Sequence, residues 1–307
     1  MTTYLRHRLL AAIPVILGVS VLVFSSLYLL PGDPIQALVS DVPMEKARVE
    51  ELRQQLGLND PPWEQYGRFI GGALRGDLGR SLQTGRPVTE EILMNLPPTL
   101  ELTAAAMILA IVLGITLGTL AAIRPHSPLD NVTMLVAMTG VAMPSFWLGL
   151  LLLLLFSLAL QWLPPTGTGG IERLVMPAFT LGYGAAAIIA RLTRGAMLDV
   201  LAQDYIVTAR SKGLAEFNVI FRHGLKNALI PVLTVIGIQA GNLLSGAVIV
   251  ETIFSRQGIG RMLIHGILGR DFPLVQGTIL FVATVYVLLN IFIDILYAWI
   301  DPRISYR

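Results

Sequence analysis

The stretch from Leu102 to Ile123 reads LTAAAMILAIVLGITLGTLAAI, 22 residues without a charge. A hydrocarbon core about 30 Å thick is crossed by about 20 apolar residues in a helix, the one single-segment structure that satisfies its own backbone N–H and C=O groups without water. Small residues return at every fourth position of the stretch: Ala106, Ala110, Gly114, Gly118 and Ala122. Positions four apart share one helix face. Lipid tails give apolar side chains no reason to leave them, so a face of small residues marks where backbones approach closely. The stretch therefore predicts a spanning helix with one packing face.

Five more uncharged windows flank it: Leu9 to Leu30, Val132 to Leu163, Leu174 to Ala190, Ala228 to Val250 and Leu274 to Ile293. Two repeat the small-residue spacing, at Gly182, Ala186 and Ala190 and at Gly237, Gly241 and Ser245. Spacing leaves open whether these faces meet within the chain or on another subunit. Val132 to Leu163 is longer than one span and too short for two with a turn, so it is read as one helix kinked near Pro144 with an apolar extension. The first window follows Arg6 and Arg8, but no small-residue cleavage site follows it, and it reads as an uncleaved anchor. The expected fold is an all-α polytopic membrane protein, one transmembrane domain of six helices over residues 1–307. Composition agrees: 54% of residues are hydrophobic and 14% charged, with mean hydropathy +0.69, which excludes a soluble globular or disordered chain.

Charge acts here by position. The 22 Lys+Arg and 20 Asp+Glu leave +2, which points to neither a nucleic-acid partner nor an acidic one. With the N-terminus in the cytoplasm, the inner segments hold Arg6, Arg8, Arg124, Arg191, Arg194, Arg210, Lys212, Arg222, Lys226, Arg303 and Arg307, eleven in all. The short outer segments hold four, Arg173, Arg256, Arg261 and Arg270. The positive-inside rule then places both termini in the cytoplasm, at a cell membrane. Residues 31–98 form a long outer segment marked by helix signals: Asp41 before Pro43, Gly57, Asp60 before Pro61-Pro62, Gly76, and Thr89 ahead of Glu90 and Glu91. Trp63, Tyr66, Phe69, Ile70, Ala73 and Leu74 share a face at helical spacing, as expected of a short amphipathic helix that packs on the bundle or meets an external partner.

Polar groups are sparse within the spans. Glu251 and Asp294 sit at span ends, whereas Gln239 and Asn242, three apart, lie centrally and are candidate lining for a translocation pathway together with Ser145. A proton- or sodium-coupled carrier needs mid-membrane carboxylates or unwound helices, and no central carboxylate occurs. No P-loop is present: Lys46, Lys212 and Lys226 are followed by Ala47, Gly213 and Asn227, so phosphate has no Gly-Lys-Ser/Thr cradle. The four histidines are scattered and cysteine is absent, which leaves no metal site and no bare-nickel site; no cofactor is expected in this chain. Ser245-Gly246 with His265 lacks the Gly-x-Ser-Gly of a serine hydrolase, because Leu243 stands in the first position.

Residues 195–227 are the longest inner segment. Asp199 to Lys212 predicts a helix ending at Gly213, with Arg210 and Lys212 in its last turn. Leu214, Phe217, Ile220 and Phe221 predict a short second helix, and Asn227 a cap for the fifth span with Pro231 in its first turn. An apolar face on such a helix needs a cover, which membrane lipid or a cytosolic protein would supply.

Asp204-Tyr205-Ile206-Val207-Thr208-Ala209-Arg210-Ser211-Lys212-Gly213-Leu214, followed by Arg222-His223-Gly224-Leu225-Lys226-Asn227-Ala228-Leu229-Ile230-Pro231, resembles the coupling-loop signature of inner-membrane permeases of binding-protein-dependent ABC importers. It is most similar to the B-type subunit of the dipeptide/oligopeptide/nickel permease family. The resemblance runs end to end, through Leu30-Pro31-Gly32-Asp33-Pro34, Leu56-Gly57-Leu58, Gly76-Asp77-Leu78-Gly79, Leu96-Pro97-Pro98-Thr99-Leu100, Glu251-Thr252-Ile253-Phe254, Gly258-Ile259-Gly260-Arg261 and Asp301-Pro302-Arg303. Two positions depart from the pattern: Val207-Thr208-Ala209 stands where importers generally carry Glu-Ala-Ala, and Gln257 where many relatives carry Pro.

The resemblance implies an ATP-driven importer of short peptides or a related small solute. It implies as partners a homologous second permease, two cytosolic ATPases that hold the ATP and Mg, and an extracytoplasmic solute-binding protein, in the bacterial inner membrane. It assigns ATPase coupling to Ala209, Gly213, Leu214, Ala215, Glu216 and Phe217, and an outer gate or binding-protein contact to Glu251, Gly258, Gly260 and Arg261. The alternative is an autonomous channel or ion-coupled carrier, which would pass solute without ATP.

Overall fold

The computed structural model describes residues 2–29, 50, 53 and 59–300. The expected signals at Asp41 and Gly57, and the motifs around Pro31, Leu56 and Pro302, lie outside the described residues. Among the described residues the elements are helical: α1 Thr2–Leu29, α2 Pro62–Ala73, α3 Val88–Ile123, α4 Pro128–Ala142, α5 Ser145–Leu152, α6 Val175–Leu201, α7 Asp204–Ser211, α8 Glu216–Ile253, α9 Ile259–Leu268 and α10 Phe272–Ile300. Five of them, α1, α3, α6, α8 and α10, are long and apolar enough to cross a membrane, and the bent pair α4–α5 makes a sixth span if it is counted as one.

The chain divides into two compact units, residues Met1–Pro97 with Gln257–Ile291 and residues Pro98–Arg256 with Phe292–Arg307. In the first, the described part of the long outer segment folds back on α1 and α10. Tyr66 of α2 meets Phe24 of α1 edge-to-face and Phe69 stacks on it, at 5.4 and 6.2 Å between ring centroids, and the Ser20 and Tyr66 hydroxyls lie 2.9 Å apart. The expected apolar face of α2 is thus only half used, since Trp63 and Leu74 are 73% and 84% exposed. Pro61, not Asp60, stands at the N-cap of α2, while the Asp60 carboxylate holds Arg68 at 2.6 Å. After Gly76 and Gly79, both at positive φ, a hairpin closes with a bridge between Arg80 and Pro87. Ser81 Oγ donates to Asp271 Oδ2 at 2.5 Å, and Asp271 Oδ1 accepts from the Leu274 amide at 3.2 Å, capping α10. Val88, Ile92, Ile259, Met262 and Leu274 form the apolar core beneath this pin.

In the second unit α6 is the central helix, and the small-residue stripes meet on it. A Cβ on Gly182 of α6 would lie 2.5 Å from the Ala106 carbonyl oxygen of α3, and one on Gly114 of α3 would lie 2.6 Å from Ile189 Cγ2. Ala106, Ala110, Ala186 and Ala190 are buried. The α3 and α6 stripes therefore pack within the chain, a choice spacing left open. Leu243, Ala247, Val250 and Phe254 complete the core from α8.

Three helix boundaries differ from expectation. The long third window is two helices bent by 109°, because Pro144 has no N–H to continue the ladder and pushes Met143 into extended backbone at φ −85°, ψ 125°. The break falls where the kink was expected, but it is sharper, and the apolar extension is a π-helix, Leu153–Ala159. Asp199 belongs to α6, which outruns its apolar window and ends at Leu201; α7 starts afresh at Asp204 after extended Gln203. Asn227 is no cap. The helix runs unbroken from Glu216 to Ile253, with a π segment at Val219–Leu225 and Pro231 inside it.

Candidate functional site

The residues between α6 and the body of α8 build a compact hairpin. At the end of α7, Gly213 takes φ +78°, its amide donates to Arg210 O at 2.9 Å, and the Leu214 amide reaches back to Ala209 O at 3.4 Å. This is the left-handed helix stop that favours glycine. Nothing lies within 4 Å of where a Cβ would point, so backbone handedness rather than space requires Gly213. Ala215 then turns the chain into α8 at φ −58°, ψ 137°, and its carbonyl accepts from the Asn218 and Val219 amides.

The hairpin has its own core: Ile206, Ala209 and Val219 are buried, with Leu201 against them. Across the turn, Arg210 Nη2 and Nε grip Glu216 Oε1 and Oε2 at 2.7 and 3.3 Å. The Glu216 carboxylate raises the Arg210 pKa above its ordinary value, chiefly through this hydrogen bond. Residues 211–218 are all exposed. Leu214 is 42% exposed and Phe217 69%, and the Phe217 ring leans on Phe221 at 4.6 Å. The result is an apolar, aromatic knob held at a set angle by a salt-bridged turn. Of the expected coupling residues, Leu214, Ala215, Glu216 and Phe217 lie on this tip with Gly213, whereas Ala209 serves from inside by packing and by its carbonyl. At the base of the hairpin, α6 and α8 line a groove of about 570 Å³ that includes Arg191, Asp199, Asn227 and Pro231.

The other expected site residues are dispersed. Gln239 is buried and accepts from Asn242 Nδ2 at 2.8 Å along the same helix, with Asn242 exposed. Ser145 opens α5 directly after the Pro144 break and is half-buried. Glu251 is fully buried and accepts from Thr99 Oγ1 at 2.5 Å, a position that offers no surface to an external protein. Gly258 is the extended N-cap of α9; Gly260 is buried in that helix and Arg261 is half-buried, its Nε 3.3 Å from His265 Nε2.

Two polar clusters escaped the sequence reading. Arg194 of α6 grips Asp130 of α4 at 2.5 and 2.6 Å, and the His126 amide adds a bond to Asp130 at 2.9 Å. Arg256 is fully buried; its Nη1 donates to Arg173 O at 3.1 Å and its Nη2 to Glu101 Oε2 at 3.0 Å. Both arginines counted only as loop cations by position, and no local spacing links them to partners 64 and 155 residues away.

Residues 114–306 match the family described as the binding-protein-dependent transport system inner membrane component, and residues 1–103 match the N-terminal membrane component of such systems. The chain is 44% identical to a dipeptide transport system permease protein of Alkalihalophilus pseudofirmus over all of both chains. It is 42% identical, with the same full coverage, to a glutathione transport system permease protein of Escherichia coli. Among solved structures, an inward-facing MetNI methionine ABC transporter superposes with TM-score 0.58 at 17% identity, over 68% of this chain and 96% of that one. An amino acid ABC transporter superposes with TM-score 0.52 at 18% identity, over 70% and 95%. At such identities these two speak for the fold alone. Full-length relatives, matching family descriptions and a bundle of spanning helices lead to one assignment: the chain belongs to the family of inner membrane components of binding-protein-dependent transport systems, and is a multi-pass permease subunit of an ABC importer in the bacterial inner membrane.

Proposed function

We propose that this permease carries short peptides and forms half of their pathway beside a homologous second permease, with two cytosolic ATPases and an extracytoplasmic solute-binding protein. The relatives named for dipeptide and glutathione support the solute class. The hairpin at 204–225 is the coupling element, and the observation that carries this is its form: a core of Ile206, Ala209 and Val219 beneath an exposed Leu214 and Phe217. A buried core costs nothing to keep when a partner docks, so binding energy is not spent on ordering the loop. With this hairpin in the cytoplasm the charge bias places both termini there too. ATP hydrolysis and its Mg belong to the ATPases; this chain acts by transmitting movement, not by catalysis. Gln239, Asn242 and Ser145 are the pathway positions, with Glu251 an inner brace of the outer gate and Gly258, Gly260 and Arg261 the adjoining outer turn.

The test is co-purification with the ATPases and ATP-driven dipeptide uptake in proteoliposomes. Phe217→Asp places a charge where an apolar contact forms and is expected to abolish both. Gly213→Ala forces a side chain into left-handed backbone, costing about 1–2 kcal/mol, and is expected to weaken both. Uptake that persists without ATP, or in the absence of the ATPases, would refute the reading.

A further inference from the structure

The base of the hairpin carries a fastening that neither its core nor its tip explains. Asn227 Nδ2 lies 2.9 Å from the His223 carbonyl oxygen and 3.0 Å from the Tyr205 hydroxyl. The Tyr205 hydroxyl in turn donates to the same His223 carbonyl at 3.5 Å. The three groups come from α7 and from the beginning of α8, and Tyr205 and Asn227 are both exposed. They lie where the π segment at Val219–Leu225 gives way to ordinary α-helix. A change from i−5 to i−4 pairing leaves a carbonyl without a backbone donor, and a single π turn is a place where a helix can shift register. Here the side chains of Tyr205 and Asn227 both meet the His223 carbonyl, and Tyr205 comes from the other arm of the hairpin.

We propose that Tyr205 and Asn227 are positioning residues for energy coupling: they form a strut that pins α7 to α8 across the π segment, so that a push on the hairpin tip reaches α8 instead of being absorbed in the π turn. The proposal rests on the hairpin being the coupling element. Without the strut, the tip keeps its shape, because Ile206, Ala209 and Val219 still pack and Arg210 still holds Glu216. The ATPases therefore still dock and still hydrolyse ATP. What is lost is the fixed relation between the tip and the spanning helix beyond Asn227.

The test measures solute taken up per ATP hydrolysed by the complete transporter in proteoliposomes, normalised to assembled complex. Tyr205→Phe removes one hydroxyl and keeps the ring; Asn227→Leu keeps the approximate volume but removes the donor amide. Each is expected to leave hydrolysis near the unaltered rate and to lower uptake per ATP by about two- to tenfold, the range set by losing one hydrogen bond. The double variant is expected to fall little further, because both changes break one network. An unchanged ratio in both single variants overturns the strut. Loss of complex assembly in both also overturns it, since the residues would then serve folding rather than coupling. Failure of the unaltered transporter to take up dipeptide with ATP would instead sink the coupling reading on which the strut depends.

Discussion

Substituting Gly118 by Ala tests the packing of the spanning helices directly. A Cβ at this position of α3 would lie 2.4 Å from the Ala190 carbonyl oxygen and 2.7 Å from Thr193 Cβ of α6. Carbon contacts are favourable at about 3.5–4.0 Å, so the two helices must separate locally by about 1 Å. The nearest obstacle is backbone, which cannot rotate aside as a long side chain would. Overpacking of this kind costs about 1–3 kcal/mol, and Gly→Ala returns up to about 1 kcal/mol through helix propensity. With the propensity gain realised in full the expected net loss is about 0–2 kcal/mol, up to roughly a 30-fold fall in the folded-to-unfolded ratio. Gly195, also within a helix, α6, has nothing within 4 Å of its would-be Cβ. Gly195→Ala therefore keeps only the propensity gain, and is expected to be neutral or stabilised by up to about 1 kcal/mol. Unfolding by sodium dodecyl sulfate titration in mixed micelles, followed by helical circular dichroism, compares the two on one scale. A Gly118→Ala protein as stable as Gly195→Ala would refute the close helix approach.

The buried polar clusters give two further expectations from the same titration. Asp130→Ala leaves Arg194 without its two-pronged partner beside buried neighbours, and because the Arg194 side chain keeps 23% exposure the loss is expected near 2–3 kcal/mol rather than the larger figure for a fully buried pair; an unaltered midpoint would show that water replaces Asp130. Arg256→Ala removes a fully buried side chain and unpairs the Arg173 carbonyl, for an expected loss of about 2–4 kcal/mol. Arg256→Met restores volume without a donor and should recover only part of that loss; full recovery would mean that packing alone matters at this position.

The amino-acid sequence by itself determined the class of fold and the place of the hairpin around Gly213, for local reasons. Uncharged runs of about 20 residues have few alternatives to a spanning helix, and Gly213 followed by Leu214 and Phe217 is a helix stop ahead of an apolar face. The ends of α7 and α8 were less legible. Asp199 and Asn227 both look like caps, yet α6 runs on through Asp199 to Leu201, and α8 absorbs Asn227 by shifting through a π turn. Those outcomes depend on what Met197, Ile206 and Val219 bury, which no window of neighbouring residues reports. Only the tertiary structure decided that the small-residue stripe of α3 faces α6 in the same chain, that the break at Pro144 opens to 109°, and that Glu251 is buried against Thr99. It alone joined Asp130 to Arg194, Arg256 to Glu101, and Tyr205 to Asn227. The physical reason is common to all of them: a repeat or a proline acts within its own helix and can be read from spacing, whereas the partner of a stripe or of a lone charge is chosen by which helices come to lie side by side.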